Sequence, residues 1–201
     1  GYAGNVLAAA GSHFFSAEKQ YRFPLEYGGQ RPPSSQWTVT GSGAALICSD
    51  GNGPRITSCT IGAITDLGIK DANNMGAAMA PAAARTIKDF LTDTNTTQDD
   101  YDLILTGDLG FVGTQLLHEL LHTRENIDIT KVHNDCGMML YDREKQDVHA
   151  GASGCGCSAS ILCSHIFRRM KEGELKSVLF AATGALLSPT STQQGLPIPG
   201  V

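Results

Sequence analysis

The chain has 201 residues, 41% of them hydrophobic, and a formal net charge of −5. That length suits one domain with a real core. The negative charge and the lack of a basic stripe argue against nucleic-acid binding, and apolar runs no longer than strands exclude a transmembrane helix.

No signal peptide opens the chain. It begins "GYAGNVLAAAGSH", without Met, as if inside a fold, and reads as a fragment or a processed chain. "NVLAAAGSHFF" predicts a buried strand. "SAEKQYRFPLEYGGQRPPSSQ", with its prolines and Gly pair, predicts a loop. "WTVTGSGAALIC" predicts a second strand, with glycines marking a close backbone approach, and "GPRITSCTIGAI" a third. A helix follows over "ANNMGAAMAPAAARTIKDFLTDT", with Pro81 as a kink or a first-turn residue of its second half. "YDLILTGD" reads as a strand, "GFVGTQLLHELLHTRE" as a helix, and "VHNDCGMMLYD" as a loop with a short strand. "GCSASILCSHIFRRMKEGEL" is a helix, "SVLFAATGALL" a final strand, and the remainder loop-like. Strands alternating with helices predict an α/β fold with a mostly parallel sheet. Ligands in such folds bind beyond the carboxyl ends of the strands. Here those ends are Gly107–Asp108, the loop His133–Gly137, and "TGALLSPTS".

The run "HAGASGCGCSASI", His149 to Ile161, raises the question of chemistry. Zinc needs about four ligands, and His149, Cys155, Cys157 and Cys163 are the candidates. The spacing is C-x-C rather than the usual C-x-x-C of zinc and redox sites. On one helix Cys157 and Cys163 lie about 240° apart. Packing of small thiols at a strand–helix junction is the simpler account, and the six cysteines read as mostly reduced. The glycines matter more: amides at a helix start favour an anion, although a tight turn without a ligand explains them equally. "HELLH", with His118, Glu119 and His122, matches the H-E-x-x-H zinc pattern and leaves a zinc hydrolase as a minor alternative. The apolar face of that helix and the short motif count against it.

Taken together, these stretches resemble the thiolase and β-ketoacyl synthase III enzymes. "HAGASGCGCSA" is similar to the thiolase His-Pro-x-Gly-x-Ser-Gly loop, "WTVTGSGAALI" to a synthase glycine-rich strand, and "LFAATGALLSPTS" to their last-strand segment. More closely, "FPLEYGGQRPPSSQWTVTGSGAALI", "HNDCGMMLYD" and "DVHAGASGCGCSA" resemble the stage V sporulation AD family of spore-forming Firmicutes, across essentially the whole chain. The resemblance implies a thiolase-like fold, with residues 1–50 ending its first half and residues 51–201 forming most of its second. The half bearing the nucleophilic cysteine would lie upstream. It also implies binding of dipicolinic acid (pyridine-2,6-dicarboxylate), free or as its calcium chelate, for uptake into the developing spore. A homodimer, partners from the stage V sporulation A operon, and a soluble protein held peripherally at the spore inner membrane are implied too, with no cofactor.

Enzyme activity is not expected. Where the synthases place a His after a strand, this chain has Thr106 and Gly107, and His118 is too far along the helix to replace it. Where thiolases place a second cysteine, Phe180 and Ala181 stand. An active acyl-thioester condensing enzyme or thiolase is the alternative. The expected ligand residues are Asp135, His149, Ser153 and Gly154, with Arg31 and Arg143 as further cations. An ionised Asp135 would repel a dianion, so it must be protonated, act through water, or orient a donor such as His133 or His149.

Overall fold

The computed structural model of the chain describes residues 4–15 and 31–201. Most of the predicted loop before Trp37 lies outside the described residues. Strand β1 (Asn5–Ser12) pairs antiparallel with β3 (Gly41–Cys48), from Asn5 opposite Cys48 to Ser12 opposite Gly41. The predicted strand over "WTVTGSGAALIC" is in fact two. Its first part, β2 (Trp37–Thr38), pairs parallel with β6 (Ala152–Ser153) in a separate sheet. Val39 and Thr40 separate β2 from β3, so one short stretch serves two sheets.

The third predicted strand, "GPRITSCTIGAI", does not form. The segment carries no regular structure, and only Thr65 beyond it makes a bridge, to Gly200. Its apolar side chains have no facing strand among the described residues, and Ile56, Ile61 and Ile64 stand exposed.

Helix α1 (Met75–Asp93) begins at Asn74, whose side chain accepts from the Ala77 amide, and it runs through Pro81. Strand β4 (Leu103–Thr106) is fully buried. Helix α2 (Gly110–Glu125) ends at Asn126 in the left-handed region. Strand β5 (His133–Asp135) leads into a one-turn helix, α3 (Cys136–Met139). After β6 comes α4 (Cys155–Ser160), a π-helical turn (Ile161–Ile166) and α5 (Phe167–Lys171). Strand β7 (Val178–Ala181) follows. The segment expected to be all loop contains α6 (Pro189–Gln193), opened by the Ser188 side chain and a proline in its first turn.

The central sheet has the order β5-β4-β7, all parallel. It alternates faces. Ile104 and Leu179 join the core of α1 and α2, while Leu103 and Leu105 join the core of α3, α4 and the π turn. The result is an α/β architecture with helices on both faces of a parallel sheet. Helices α1 and α2 meet through glycines: a Cβ on Gly113 would lie 2.8 Å from the Gly76 Cα.

The π turn has a readable cause. The buried positions are Cys157, Ile161 and Ile166, spaced by four and then five residues. A regular helix would carry His165 inward after Ile161. The wider turn seats Ile166 in the core instead, fully buried.

Candidate functional site

The carboxyl ends of β4, β5 and β7 bring together Thr106, Asp108, Asp135 and Thr183. Asp135 ends β5 and is completely buried. Its Oδ2 accepts from the Thr106 hydroxyl at 2.6 Å and the Leu109 amide at 2.9 Å, and its Oδ1 accepts from the Gly110 amide at 2.9 Å. Helix α2 has no side-chain cap of its own, so a carboxylate from the neighbouring strand takes its first amides. Burial, with Asp108 nearby, pushes the Asp135 pKa up to about 6 against the pull of those three bonds.

Asp108 performs the same service for the glycine-rich loop. Its Oδ2 accepts from the Gly154 amide at 2.7 Å, and its Oδ1 accepts from the Thr183 hydroxyl at 2.8 Å. Gln36 fastens the junction, donating from Nε2 to the carbonyls of Asp108 at 2.8 Å and Ala152 at 2.7 Å. Gly154 needs its φ of +101°, and a Cβ there would lie 2.9 Å from Ser12 Oγ. The loop amides are therefore directed inward: Gly151 donates to Val148, Gly154 to Asp108 and Gly156 to Ser12. Ser153 is buried in β6 opposite Thr38.

His149 belongs to a second group. It holds a left-handed φ of +49°, a conformation uncommon for residues with a side chain but entered more readily by His than by most. Its Nε2 stands 3.3 Å from Asp147 Oδ1 without hydrogen-bond alignment. Arg31 donates to the Asp147 carbonyl at 3.1 Å, and Arg143 donates to the His149 carbonyl at 2.8 Å. Each guanidinium lies on an aromatic ring, Arg31 4.1 Å from the Trp37 centroid and Arg143 4.0 Å from that of Phe111. Trp37 in turn stacks on Phe14. The structure thus joins Asp135 to the Ser153–Gly154 stretch through Asp108 and Gly137, and places His149 with two arginines in a different polar set.

The chain matches the family model described as Stage V sporulation protein AD over residues 1–201. It is 50% identical over 201 residues to Stage V sporulation protein AD of Bacillus subtilis (strain 168), covering all of this chain and 59% of that relative. The chain belongs to the stage V sporulation protein AD family. In this member, no helix among the described residues is long and apolar enough to cross a membrane.

The cysteines of this family member are all free among the described residues. Burial pushes the thiols of Cys136 and Cys157 well above their ordinary range, so they sit as neutral packing groups. Cys155 and Cys48 are exposed, and Cys155 donates to the Gly11 carbonyl at 3.0 Å. In the "HELLH" stretch, His118 turns to His133, with 2.9 Å between its Nε2 and His133 Nδ1, while Glu119 and His122 are exposed. No group of three or more His, Cys, Asp or Glu among the described residues could hold a metal ion.

The roles of Thr106, Asp108 and Gln36 were missed by sequence reasoning. Thr106 and Asp108 sit at a strand end, where the carboxyl-end rule already points. Gln36 has no such signal.

Proposed function

We propose that this chain is part of a sporulation protein that binds dipicolinate for delivery into the spore and performs no acyl transfer. Family membership supports the sporulation role. The observation that carries the ligand reading is a pair of guanidiniums beside the loop, Arg143 on the His149 carbonyl and Arg31 on the Asp147 carbonyl, each held by an aromatic ring. A dianion asks for that chemistry, one cation for each of two carboxylates. Asp135, buried behind three protein donors, acts in this reading as a positioning residue that fixes the strand ends, so its charge need not meet the ligand. Ser153 and Gly154 anchor the loop that follows His149. Against acyl transfer, the hydroxyl of Thr106, at the strand end where the synthases carry a His, is already committed to Asp135. Association with the membrane surface, with other proteins of the operon and with a second copy belongs to the same proposal.

Calorimetric titration of the full-length protein tests it. Dipicolinate should bind more tightly than picolinate, because the second carboxylate adds a charge-assisted contact of roughly 1.5–3 kcal/mol, or about 10- to 150-fold. Arg143→Gln should remove most of that preference. Equal affinity for the two acids, or no binding, overturns the reading.

A further inference from the structure

A row of hydrogen bonds leads from the core to the flank of α2. Asp135 Oδ2 lies 2.6 Å from Thr106 Oγ1, Thr106 Oγ1 lies 3.0 Å from His133 Nε2, and His133 Nδ1 lies 2.9 Å from His118 Nε2. Its polarity is fixed by one end. An ionised carboxylate only accepts, so Thr106 donates to Asp135 and must accept from His133 Nε2–H. A neutral His133 then has a bare Nδ1, which accepts from His118 Nε2–H. The outer nitrogen, His118 Nδ1, is left as the base.

We propose that Asp135, Thr106, His133 and His118 form a proton relay, in which a proton gained at His118 is delivered to Asp135 by reversal of every hydrogen bond in the row. The balance closes. A proton from hydronium binds His118 Nδ1, leaving water, and the Nε2 proton of His118 passes to His133 Nδ1. The Nε2 proton of His133 passes to Thr106 Oγ1 as the hydroxyl proton moves to Asp135 Oδ2. Both imidazoles and the hydroxyl end neutral, and the carboxylate ends as a carboxylic acid. Each N–H or O–H bond broken is matched by one formed.

The surroundings favour this end state. Burial and the neighbouring His118 hold the His133 pKa down at about 3, so His133 conducts without keeping the charge. Burial lowers the His118 pKa while Asp128 pulls it the other way. His122, a turn further along, also faces Asp128. Around Asp135 stand Asp108 from the β4–α2 loop, Cys136 from α3 and Cys157 from α4, whose neutral thiols add no charge.

The consequence is mechanical. Once Oδ2 carries a proton and donates to Thr106, the Leu109 amide loses its charge-assisted bond. The start of α2 is tied to the glycine-rich loop by the Phe111 amide on the Ala150 carbonyl at 2.7 Å, and by Gln36. Protonation therefore slackens the junction that holds Ser153 and Gly154. This inference needs no ligand and stands apart from the dipicolinate reading.

Nitrogen NMR of histidine-labelled full-length protein tests it, with the Asp135 carboxyl followed in parallel by its carbon shift. Above the Asp135 midpoint, His133 should carry its proton on Nε2. Below it, the proton should sit on Nδ1, the change sharing the carboxyl midpoint. Thr106→Val should abolish that coupling, and Thr106→Ser should preserve it. A His133 ring that keeps Nε2–H while Asp135 titrates overturns the relay, as does a carboxyl that never titrates in the folded protein. A Thr106→Val protein whose His133 still switches with Asp135 overturns it too. Should that variant fail to fold, the wild-type titration alone decides.

Discussion

Strands β4 and β1 are both short apolar runs, "LILT" and "NVLAAAGS", yet they meet opposite fates. Every residue of β4 is buried, with α1 and α2 on one face and α3, α4 and the π turn on the other. In β1 and its partner β3, Val6, Leu7, Leu46 and Ile47 are 44–67% exposed. Among the described residues α4 and the π turn lean on the ribbon, where Gly43 is packed against the Ala159 backbone. Apolar sequence makes a strand; a facing layer makes a core. The difference extends to polar groups. At the end of β4 and β5, buried carboxylates satisfy buried amides, whereas the ribbon carries no such network among its described residues.

Three substitutions test that contrast. Asp135→Ala would leave the Leu109 and Gly110 amides buried without an acceptor, at about 1–3 kcal/mol each, while the Thr106 hydroxyl keeps His133 Nε2 as a partner. A loss of about 3 kcal/mol or more in urea unfolding is expected. A loss below about 1 kcal/mol would mean that water reaches the site. Next comes Gly113→Ala, whose Cβ meets backbone of Gly76 at 2.8 Å with nothing flexible to move. Overpacking there should lower stability by about 1–3 kcal/mol, read as a fall in the thermal midpoint. The smallest effect belongs to Leu46→Ser on the open ribbon of this chain, expected within about 0.5 kcal/mol. A larger loss would show that another layer covers the ribbon and would erase the contrast.

Local signals placed most elements. The helix over Gly110–Glu125 follows from its apolar spacing, and its end at Asn126 from a residue that tolerates the left-handed region. What failed was partnership. Nothing in "WTVTGSGAALIC" tells that Thr38 answers to Ser153 while Gly41 answers to Ser12. Nothing in "GPRITSCTIGAI" tells that its isoleucines stand exposed. The site divides the same way. Asp135 is legible as a polar residue at a strand end, but its donor Thr106 lies 29 residues earlier in sequence. His149 reads as part of the glycine loop, whereas its polar contacts are with Arg143 and Asp147.

The π turn also bears on descent. A helix whose buried positions are spaced four and then five residues apart holds one residue more than a regular helix needs to cover the same wall. Dropping a single residue between Ile161 and Ile166 would restore ordinary winding and keep both isoleucines inward. Here, then, lineages can differ in length by one without redrawing the core. An alignment that spreads such a gap into the neighbouring loops would misplace every residue from Ile166 to Lys171.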